Sequence, residues 1–529
     1  MPATPGERRS LIEIQKEYES GDKEALETLM RAWKGIKELP AEDLSSFFVL
    51  GGYHGEPFRD QGATNPEWWG GYCEHGTVLF PTWHRAYLYA LEQALQSIPG
   101  CSNVMLPFWD ETSPESLAKG LPAALTWETF ELDGQEIPNP LRSFILPVEI
   151  VDAVEGDNSL YSKPAGYETV RYPLSGLVGT EAERAATAAH NAKFPDYEKN
   201  VELLNENVIT WLTGAPVVHG QAIKGFVERK FIRCMDAPTY TLFSNTTSMS
   251  AYNGSHAAGQ QVVALESPHN SIHLAIGGFE VPQRGDFSPI PGANGDMGEN
   301  DTAGLDPIFY FHHCFIDYAF WTWQRRHGST QALVIDPQDP GAGYSAESPP
   351  PAGREPDERL DINSALNPFT TAKGEPMTSA HVTDIAKLGY SYGPGSLDRF
   401  AEAGIAAVPE GDAIEEATRS VHVEGLDRSK LRGSFIISAF AEVDGEMQAI
   451  GHEAVLSRWQ VEGCANCMSH LGASADFPLP VAARASAEGT ADGVDVRVTT
   501  RNDVLRSRES GAFAELAAEP PPSFTIEIR

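Results

Sequence analysis

The sequence has 529 residues, which is too long for one hydrophobic core and implies at least two domains. It carries 39 Lys and Arg against 74 Asp and Glu, a net charge of −35 that makes nucleic acids and anionic membranes poor partners. The N-terminal segment lacks the apolar core of a secretory signal, and no stretch reaches the ~18–20 apolar residues that span a bilayer, so we expect a cytoplasmic protein. The six cysteines are too scattered for a disulfide framework, and the oligomeric state, a homo-oligomer included, stays open.

Three histidines occur early in the chain, within the segments GGYHGEPFR and YCEHGTVLFPTWHRAYLYALEQAL: His54, His75 and His84. His84 begins an amphipathic stretch whose apolar residues repeat at helical spacing through Tyr87 and Leu91. His54 and His75 fall in loops or at helix ends. We therefore expect a long helix to carry His84 and less regular backbone to carry the other two.

Three more histidines follow in the second half of the chain: His269, His273 and His313. The spacing of His269 and His273 is i, i+4, which places both rings on one face of a helix, as two ligands of one ion require. His313 lies inside a helix with recognisable ends, since Asp306 is a good N-cap and Gly328 can close the last turn. A helix with defined ends holds a ligand rigidly.

The joint arrangement of the six histidines favours metal ligands, although a single histidine in an apolar stretch is more often a hydrogen-bonded interior residue. Two clusters of three are typical of a centre with two metal ions. A ligand set of imidazoles without carboxylate or thiolate suits copper, whereas iron and manganese pairs usually include Asp or Glu. The sequence therefore predicts a pair of copper ions as the cofactor.

Four motifs carry a resemblance to a known family: CEHGTVLFPTWHRAYL, LPFWDET, HNSIH and GDMGENDTAGLDPIFYFHHCFID. They resemble the type-3 copper proteins, which are the tyrosinases, the catechol oxidases and the molluscan haemocyanins. The order of elements agrees from about Leu39 to Tyr392, and the closest likeness is to fungal-type tyrosinases with a C-terminal β domain. The resemblance implies a mainly α catalytic domain, with a helical-bundle core that holds two coppers, followed by an antiparallel β-sandwich.

The resemblance also implies the ligands of each ion. The first copper is assigned to His54, His75 and His84, and the second to His269, His273 and His313. In the pair His312-His313 the ligand of the family is the second histidine, so His312 is expected to be a neighbour that orients or packs. Phe309 is expected to pack over the copper-bound rings, and Asp306 to cap the helix of His313.

The activity implied is the oxidation of small phenols by O2, by ortho-hydroxylation of monophenols and by two-electron oxidation of o-diphenols to o-quinones. A phenol with a pKa near ~10 has to lose its proton at the copper, and in the family an Asn and a nearby Glu serve this step. Asn270 and Glu266 occupy these places here, although Glu266 also suits the first turn of its helix. Leu274 is expected to line the substrate pocket, and Asn300 to leave its entrance open and polar.

Two cysteine motifs are relevant to copper. Cys73 precedes His75 by two residues, and in several relatives a Cys at this spacing is joined to the histidine ring by a thioether bond; an unlinked buried thiol is the alternative. Cys464 and Cys467 form a C-x-x-C that could be a disulfide, half of a zinc site or inert thiols. In fungal relatives such a pair is thought to help load copper.

The sequence predicts a domain boundary near residues 393–419, which are rich in Gly, Pro and charged residues. We expect a catalytic domain at 1–392, a linker at 393–419 and a β domain at 420–529. Short β-rich segments follow the linker, such as SVHVEGL, SFIISAFAEV, EMQAIGHEAVL, PLPVAARASAE and GVDVRVTTR. In the family this domain shields the copper site and keeps the enzyme latent.

Three function classes remain open at this point. A phenol oxidase is favoured because Asn270 and Glu266 supply proton handling that an oxygen carrier does not need. An oxygen carrier of the haemocyanin kind uses the same ligands, and a di-metal hydrolase without copper is the third class. Within the first class, the sequence leaves open whether monophenols, only catechols or o-aminophenols are oxidised.

Overall fold

The computed structural model describes residues 6–55, 71–152, 161–214, 226–279, 292–344, 354–355, 357–402, 419–459, 461, 464–480, 482–484, 493–500 and 522–529. Helices dominate as far as residue 402, and strands dominate beyond it. None of the helices in these ranges has the length and apolar character needed to cross a membrane.

The first part of the chain is built mainly from helices. These are α1 (Leu11–Ser20), α2 (Glu24–Glu38), α3 (Phe47–Gly55), α4 (Phe80–Ser97), α5 (Pro114–Lys119), α6 (Glu181–Asn191), α7 (Tyr197–Thr213), α8 (Phe226–Cys234), α9 (Tyr240–Ser244), α10 (Thr246–Asn253), α11 (Glu266–Gly277), α12 (Ile308–Arg326) and α13 (Ser379–Val382). Four strand pairs lie among them: β1 (Gly6–Arg8) with β8 (Tyr390–Tyr392), β2 (Thr129–Leu132) with β3 (Gln135–Pro138), β4 (Ile150–Asp152) with β5 (Tyr161–Lys163), and β6 (Ala365–Thr370) with β7 (Pro376–Thr378).

Helix α12 lies at the centre of the helical core and packs against α4 and α11. Its residues 308–320 are all buried, as expected for a helix that is apolar on every side. The predicted ends are present: Asp306 accepts a hydrogen bond from the Ile308 amide at 3.1 Å, and Gly328 has a φ of 65°. Arg171 pairs with the Asp306 carboxylate at 2.6 Å, so the capping residue is itself held in place.

Buried charges tie the N-terminal strand to the end of the helical region. Asp317 on α12 accepts hydrogen bonds from Arg85 at 2.5 Å, Tyr390 at 2.7 Å and Tyr392 at 2.5 Å. Arg8 lies 3.3 Å from the same carboxylate and stacks on the Tyr390 ring. Because a buried carboxylate needs such compensation, these contacts fasten Tyr390 and Tyr392 to the helical core.

Two antiparallel sheets form the last part of the chain. The strands are β9 (Arg419–Asp427), β10 (Phe435–Val443), β11 (Glu446–Val455), β12 (Gly472–Leu479), β13 (Ala483–Arg484), β14 (Val494–Thr500) and β15 (Thr525–Ile528), and helix α14 (Ala465–Met468) lies between β11 and β12. One sheet has the order β11-β10-β14 with β13 beside β10, and the other has β12-β9-β15. Apolar side chains of both sheets share one core, so the β-sandwich prediction is confirmed.

One detail of the strand prediction was wrong. The predicted segment PLPVAARASAE begins at residue 478, so residues 472–477 of β12 were missed; they include Gly, Ala and Asp, which have low strand propensity. The described part of that segment contains the end of β12 and the two-residue strand Ala483–Arg484, and residues 481 and 485–488 lie outside the described residues. The predicted linker begins within the described residues, but most of it, 403–418, lies outside them, and β9 starts at Arg419.

Candidate metal centre

The second histidine triplet is carried by two helices. His269 and His273 project from successive turns of α11, and His313 projects from α12. The Nε2 atoms of His269 and His273 lie 3.1 and 3.3 Å from Nε2 of His313. Two imidazole nitrogens that each bind one metal ion at about 2.0–2.1 Å lie about 3–3.5 Å apart. The three rings are therefore spaced as ligands of a single ion.

The first triplet is carried by less regular backbone. His54 lies in the last turn of α3, His75 lies in the loop before α4, and His84 lies in the second turn of α4. The Nε2 atoms of all three are buried without a hydrogen-bond partner. Since a buried polar atom is costly unless something binds it, three such nitrogens in one cluster are the observation that best fits a metal ion.

The two triplets converge on one point of the structure. The ring centroids of His84 and His313 are 4.4 Å apart, those of His75 and His269 are 5.4 Å apart, and those of His54 and His313 are 6.2 Å apart. The chain thus brings together all six histidines that the sequence singled out. The rings of the two triplets are therefore direct neighbours.

Hydrogen bonds from the outer ring nitrogen orient four of these histidines. The acceptors are oxygen atoms, so each Nδ1 carries the proton and each Nε2 keeps its lone pair for the interior. The pairs are His84 with the Phe80 carbonyl at 2.8 Å, His273 with the Met297 carbonyl at 2.9 Å, His54 with the Asn300 carbonyl at 3.3 Å, and His269 with the Asn270 side chain at 2.9 Å.

The electrostatic setting keeps the imidazoles neutral, which is the form that binds metals. Burial lowers the pKa of His84 to about 3 and that of His273 to about 4, and it lowers the pKa of the other four well below the ordinary range. Neutral nitrogen donors without carboxylates match the donor set that copper prefers. The residues present therefore fit a pair of copper ions.

His312 lies beside the second triplet. Its ring stacks on His269. One ring nitrogen from each of His269, His273, His312 and His313 forms a group in which all four atoms lie within 4.8 Å of one another. The Nδ1 atom of His312 is 2.6 Å from the carboxylate of Glu111, whose pKa burial raises well above the ordinary value. Glu111 was not singled out in the sequence, although it lies in the motif LPFWDET. The role of His312 as an orienting neighbour stays a prediction.

Glu266 and Asn270 lie on α11 as predicted, and their contacts favour positioning roles. Glu266 is buried and accepts hydrogen bonds from the Gly76 amide at 3.0 Å and from the Thr246 amide at 2.8 Å. Because Gly76 follows His75, this carboxylate joins the helix of the second triplet to the loop of the first. Asn270 binds His269 and also lines a cavity of about 860 Å³ between the helical region and the β-sandwich.

Phe309 packs over the ligand rings as predicted, with centroids 3.9 Å from His313 and 4.7 Å from His54. Leu274, expected in the substrate pocket, is fully buried in the main hydrophobic core, and its pocket role stays a prediction.

Asn300 is buried too, and its amide donates to the Cys73 sulfur at 3.5 Å. The expected open entrance at Asn300 is therefore covered in this arrangement, and Asn300 instead positions Cys73 and His54.

The β-sandwich is docked over the first triplet. The buried Arg458 pairs with Asp301 at 3.0 Å and donates to the carbonyl of Gly55, the residue after His54. The Trp459 amide donates to Asp301 at 2.8 Å. A Cβ on Gly55 would clash with the carbonyl of Asn300, so only glycine permits this close approach. These contacts link the position of the β-sandwich, which covers the first triplet, to the backbone that holds His54.

A small cavity of about 30 Å³ remains between the docked domain and the first triplet. Cys73, His75, Arg428, Cys467 and His470 line it. Cys464 and Cys467 are joined in a disulfide, so the structure has the first of the three states left open for the C-x-x-C. Cys467 thus lies close to His75 although it belongs to the other domain, which no local sequence signal indicated.

Comparison with known proteins agrees with this centre. The family model of the common central domain of tyrosinase matches residues 44–326. The chain is 50% identical to tyrosinase HcTyr2 of Hahella sp. (strain CCB-MM4), over 89% of this chain and 88% of the relative, and 41% identical to a tyrosinase of Aspergillus oryzae (strain ATCC 42149 / RIB 40), over 90% and 89%. The structure of a tyrosinase from Burkholderia thailandensis superposes with a TM-score of 0.81 at 47% identity, covering 99% of this chain and 100% of that one. Two converging imidazole triplets in a helical core, with these relatives, identify the chain as a member of the tyrosinase family, whose centre is the type-3 pair of copper ions.

Proposed function

We propose that this protein oxidises small phenols with O2, hydroxylating monophenols at the ortho position and converting o-diphenols to o-quinones. His54, His75 and His84 would bind one copper ion, and His269, His273 and His313 the other. The observation that carries the proposal is the convergence of two buried triplets of neutral imidazoles in a chain half identical to a tyrosinase.

Copper in this centre would supply the reversible binding and reduction of O2 and the acceptance of electrons from the phenol. The protein holds each imidazole in one tautomer through oxygen acceptors, and Phe309 fixes the ring planes by packing. Asn270 follows His269 and lines the large cavity between the helical region and the β-sandwich. We propose that Glu266 and Asn270 position a water molecule that takes the phenol proton, which agrees with the positioning contacts of both side chains.

The test of the function is turnover by copper-loaded protein. Tyrosine, L-DOPA and an o-aminophenol are supplied in turn, and quinone formation is followed by absorbance while copper is counted by metal analysis. We expect two copper ions per chain and quinone from at least one substrate. Oxygen binding without any quinone would favour an oxygen carrier, and zinc or iron in place of copper would favour a hydrolase.

We also propose that the β-sandwich keeps the enzyme latent. The support is its docking through Arg458 and Asp301 over the first triplet, where the remaining cavity is only about 30 Å³. Cleavage within the linker 393–419 is expected to raise the turnover rate, and an unchanged rate would contradict latency. The domain limits at 392 and 420, the cytoplasmic location and the oligomeric state stay predictions.

Cys73 and His75 are proposed to form the thioether bond expected from the resemblance. Both residues line the same small cavity. The Cys73 sulfur, a ring nitrogen of His75 and a ring nitrogen of His54 lie within 4.8 Å of one another. Peptide mass spectrometry of the copper-loaded protein tests the link. The bond replaces the Cys73 S–H and a His75 ring C–H, and O2 would accept the two electrons and two protons. The joined peptide would therefore lack two hydrogens, and an alkylated free Cys73 would contradict the link.

Cys464 and Cys467 are proposed to help load copper, because Cys467 lines the cavity beside His75. The disulfide would first accept two electrons and two protons from an external dithiol, which is itself oxidised to a disulfide, since the thiolates are the ligands of Cu(I). Uptake of Cu(I) by the reduced apoprotein is expected to slow in Cys464→Ser/Cys467→Ser. An equal uptake rate would assign the pair a structural role.

A further inference from the structure

Helix α8 carries two arginines on one face, at the boundary with the β-sandwich. Arg229 and Arg233 are four residues apart, so their side chains are neighbours on the helix surface. Both line a cavity of about 230 Å³ that is closed on its other side by β11 and β12 of the β-sandwich. The cavity is separate from the histidine triplets, since none of the six ligands lines it.

The carboxylates near this cavity have other partners. Glu453 pairs with Lys230 at 2.7 Å and accepts a hydrogen bond from Ser267 at 2.7 Å. Asp476 binds His422 at 2.8 Å. The Asp236 carboxylate, which acts favourably on Arg233, pairs with Arg326 at 2.7 Å. The acidic groups that face the cavity are therefore already compensated.

The guanidinium groups of Arg229 and Arg233, by contrast, lack a carboxylate within ion-pair distance among the described residues. Among the described residues, neither Arg229 nor Arg233 forms an ion pair, and Nε of Arg229 is buried without a hydrogen-bond partner. Arg233 donates one hydrogen bond, to the Gln261 carbonyl at 3.3 Å. Burial and then the charge of Arg229 lower the pKa of Arg233. Two neighbouring guanidinium groups thus repel each other in a partly dehydrated site.

Two unpaired like charges at a partly buried site destabilise the fold. They stand out in a protein whose 74 Asp and Glu residues offer many possible partners. Guanidinium groups bind the oxygens of phosphate and carboxylate in a bidentate way, so two adjacent forks suit a tetrahedral oxyanion. One water molecule takes up about 30 Å³ of liquid, so a cavity of about 230 Å³ has room for such an anion with a few waters.

We propose that this cavity is a binding site for a phosphate-type oxyanion, with Arg229 and Arg233 as the residues that bind it. One wall belongs to α8 and the other to the β-sandwich, so the bound anion stabilises the docked position of the covering domain. The proposal is independent of copper and of the oxidation of phenols.

The test uses the full-length, copper-loaded protein with inorganic phosphate as the probe and chloride at equal ionic strength as the reference. Thermal unfolding and calorimetric titration are measured for the wild type, for Arg229→Gln/Arg233→Gln and for Arg497→Gln. Arg497 is an exposed arginine that pairs with Asp495 away from this cavity, which makes it the matched control.

We expect phosphate to raise the Tm of the wild type and of Arg497→Gln in a saturable way, because a ligand of the native state stabilises it. The double variant should bind phosphate at least about tenfold more weakly. In chloride the double variant should be at least as stable as the wild type, because the repulsion is removed. A second experiment with phenyl phosphate identifies the type of ligand. Binding of both probes indicates that the site accepts phosphate monoesters, and binding of phosphate alone indicates that it accepts the free anion.

Two results would overturn the proposal. Equal phosphate binding by the wild type and the double variant would show that the arginines do not form the site. A lower Tm of the double variant in chloride would show that the two guanidinium groups are structural and are paired within the chain itself.

Discussion

The two histidine triplets reach the same point by different means. His269, His273 and His313 project from two helices that are buried along most of their length. His54 and His75 lie at a helix end and in a loop, and their positions depend on distant groups such as Asn300 and Glu266. The second triplet is thus a property of its helices, whereas the first needs the rest of the molecule to be in place.

This difference gives the β-sandwich a second consequence besides covering the centre. Arg458 binds both Asp301 and the carbonyl of Gly55, so docking holds the backbone around His54. Displacement of the domain should then loosen the first triplet more than the second.

The largest effects are expected from loss of a ligand in either triplet. His84→Ala and His273→Ala should each lower quinone formation by more than about 100-fold, because even partners of metal ligands are worth 10–100-fold. Metal analysis should show the loss of about one copper per chain in each variant. Two coppers retained in either variant would remove that histidine from the ligand set.

Arg458→Gln is expected to cost about 3–5 kcal/mol of unfolding free energy, because it leaves the buried Asp301 carboxylate without its positively charged partner. Chelator titration should then remove copper from the first triplet before the second. Arg325→Gln is the control, since its exposed pair with Asp398 is worth at most about 1 kcal/mol. Loss of both copper ions at the same chelator concentration in Arg458→Gln would contradict the expected difference between the two triplets.

Asn270→Leu removes the acceptor of the His269 Nδ1 proton and the polar group at the large cavity. Loss of such a partner is expected to lower activity by about 10–100-fold. Monophenol turnover should fall more than diphenol turnover, because only monophenols must lose their proton during hydroxylation. An equal fall on both substrates would reduce Asn270 to a residue that orients His269.

The smallest effect concerns the pH dependence of the β-sandwich. A hydrogen bond to Asp476 raises the pKa of His422 above its ordinary value of 6.5. The resulting stabilisation is complete below pH 6.5 and is lost as the pH rises through the folded pKa. Thermal unfolding should therefore show a gentle fall in stability over that range, which Asp476→Asn should flatten. Matching pH profiles for the two proteins would exclude His422 as the source.

Much of the architecture was predictable from local sequence. The spacing of His269 and His273, the capped helix around His313 and the apolar run Phe435–Val443 can each be recognised within a few residues. Most of strand β12 was missed because its residues favour strands only when neighbouring strands pair with them.

The sequence by itself determined which residue types lie on each helix face and strand, and motif spacing indicated the six histidines. Only the tertiary structure decided that Arg458 reaches Gly55, that Glu266 binds Gly76, that Glu111 binds His312, and that Arg229 and Arg233 share a cavity. These contacts join residues far apart in the chain or separate domains. The local repeat of apolar residues does not predict such contacts, because the packing of whole helices and strands decides which side chains meet.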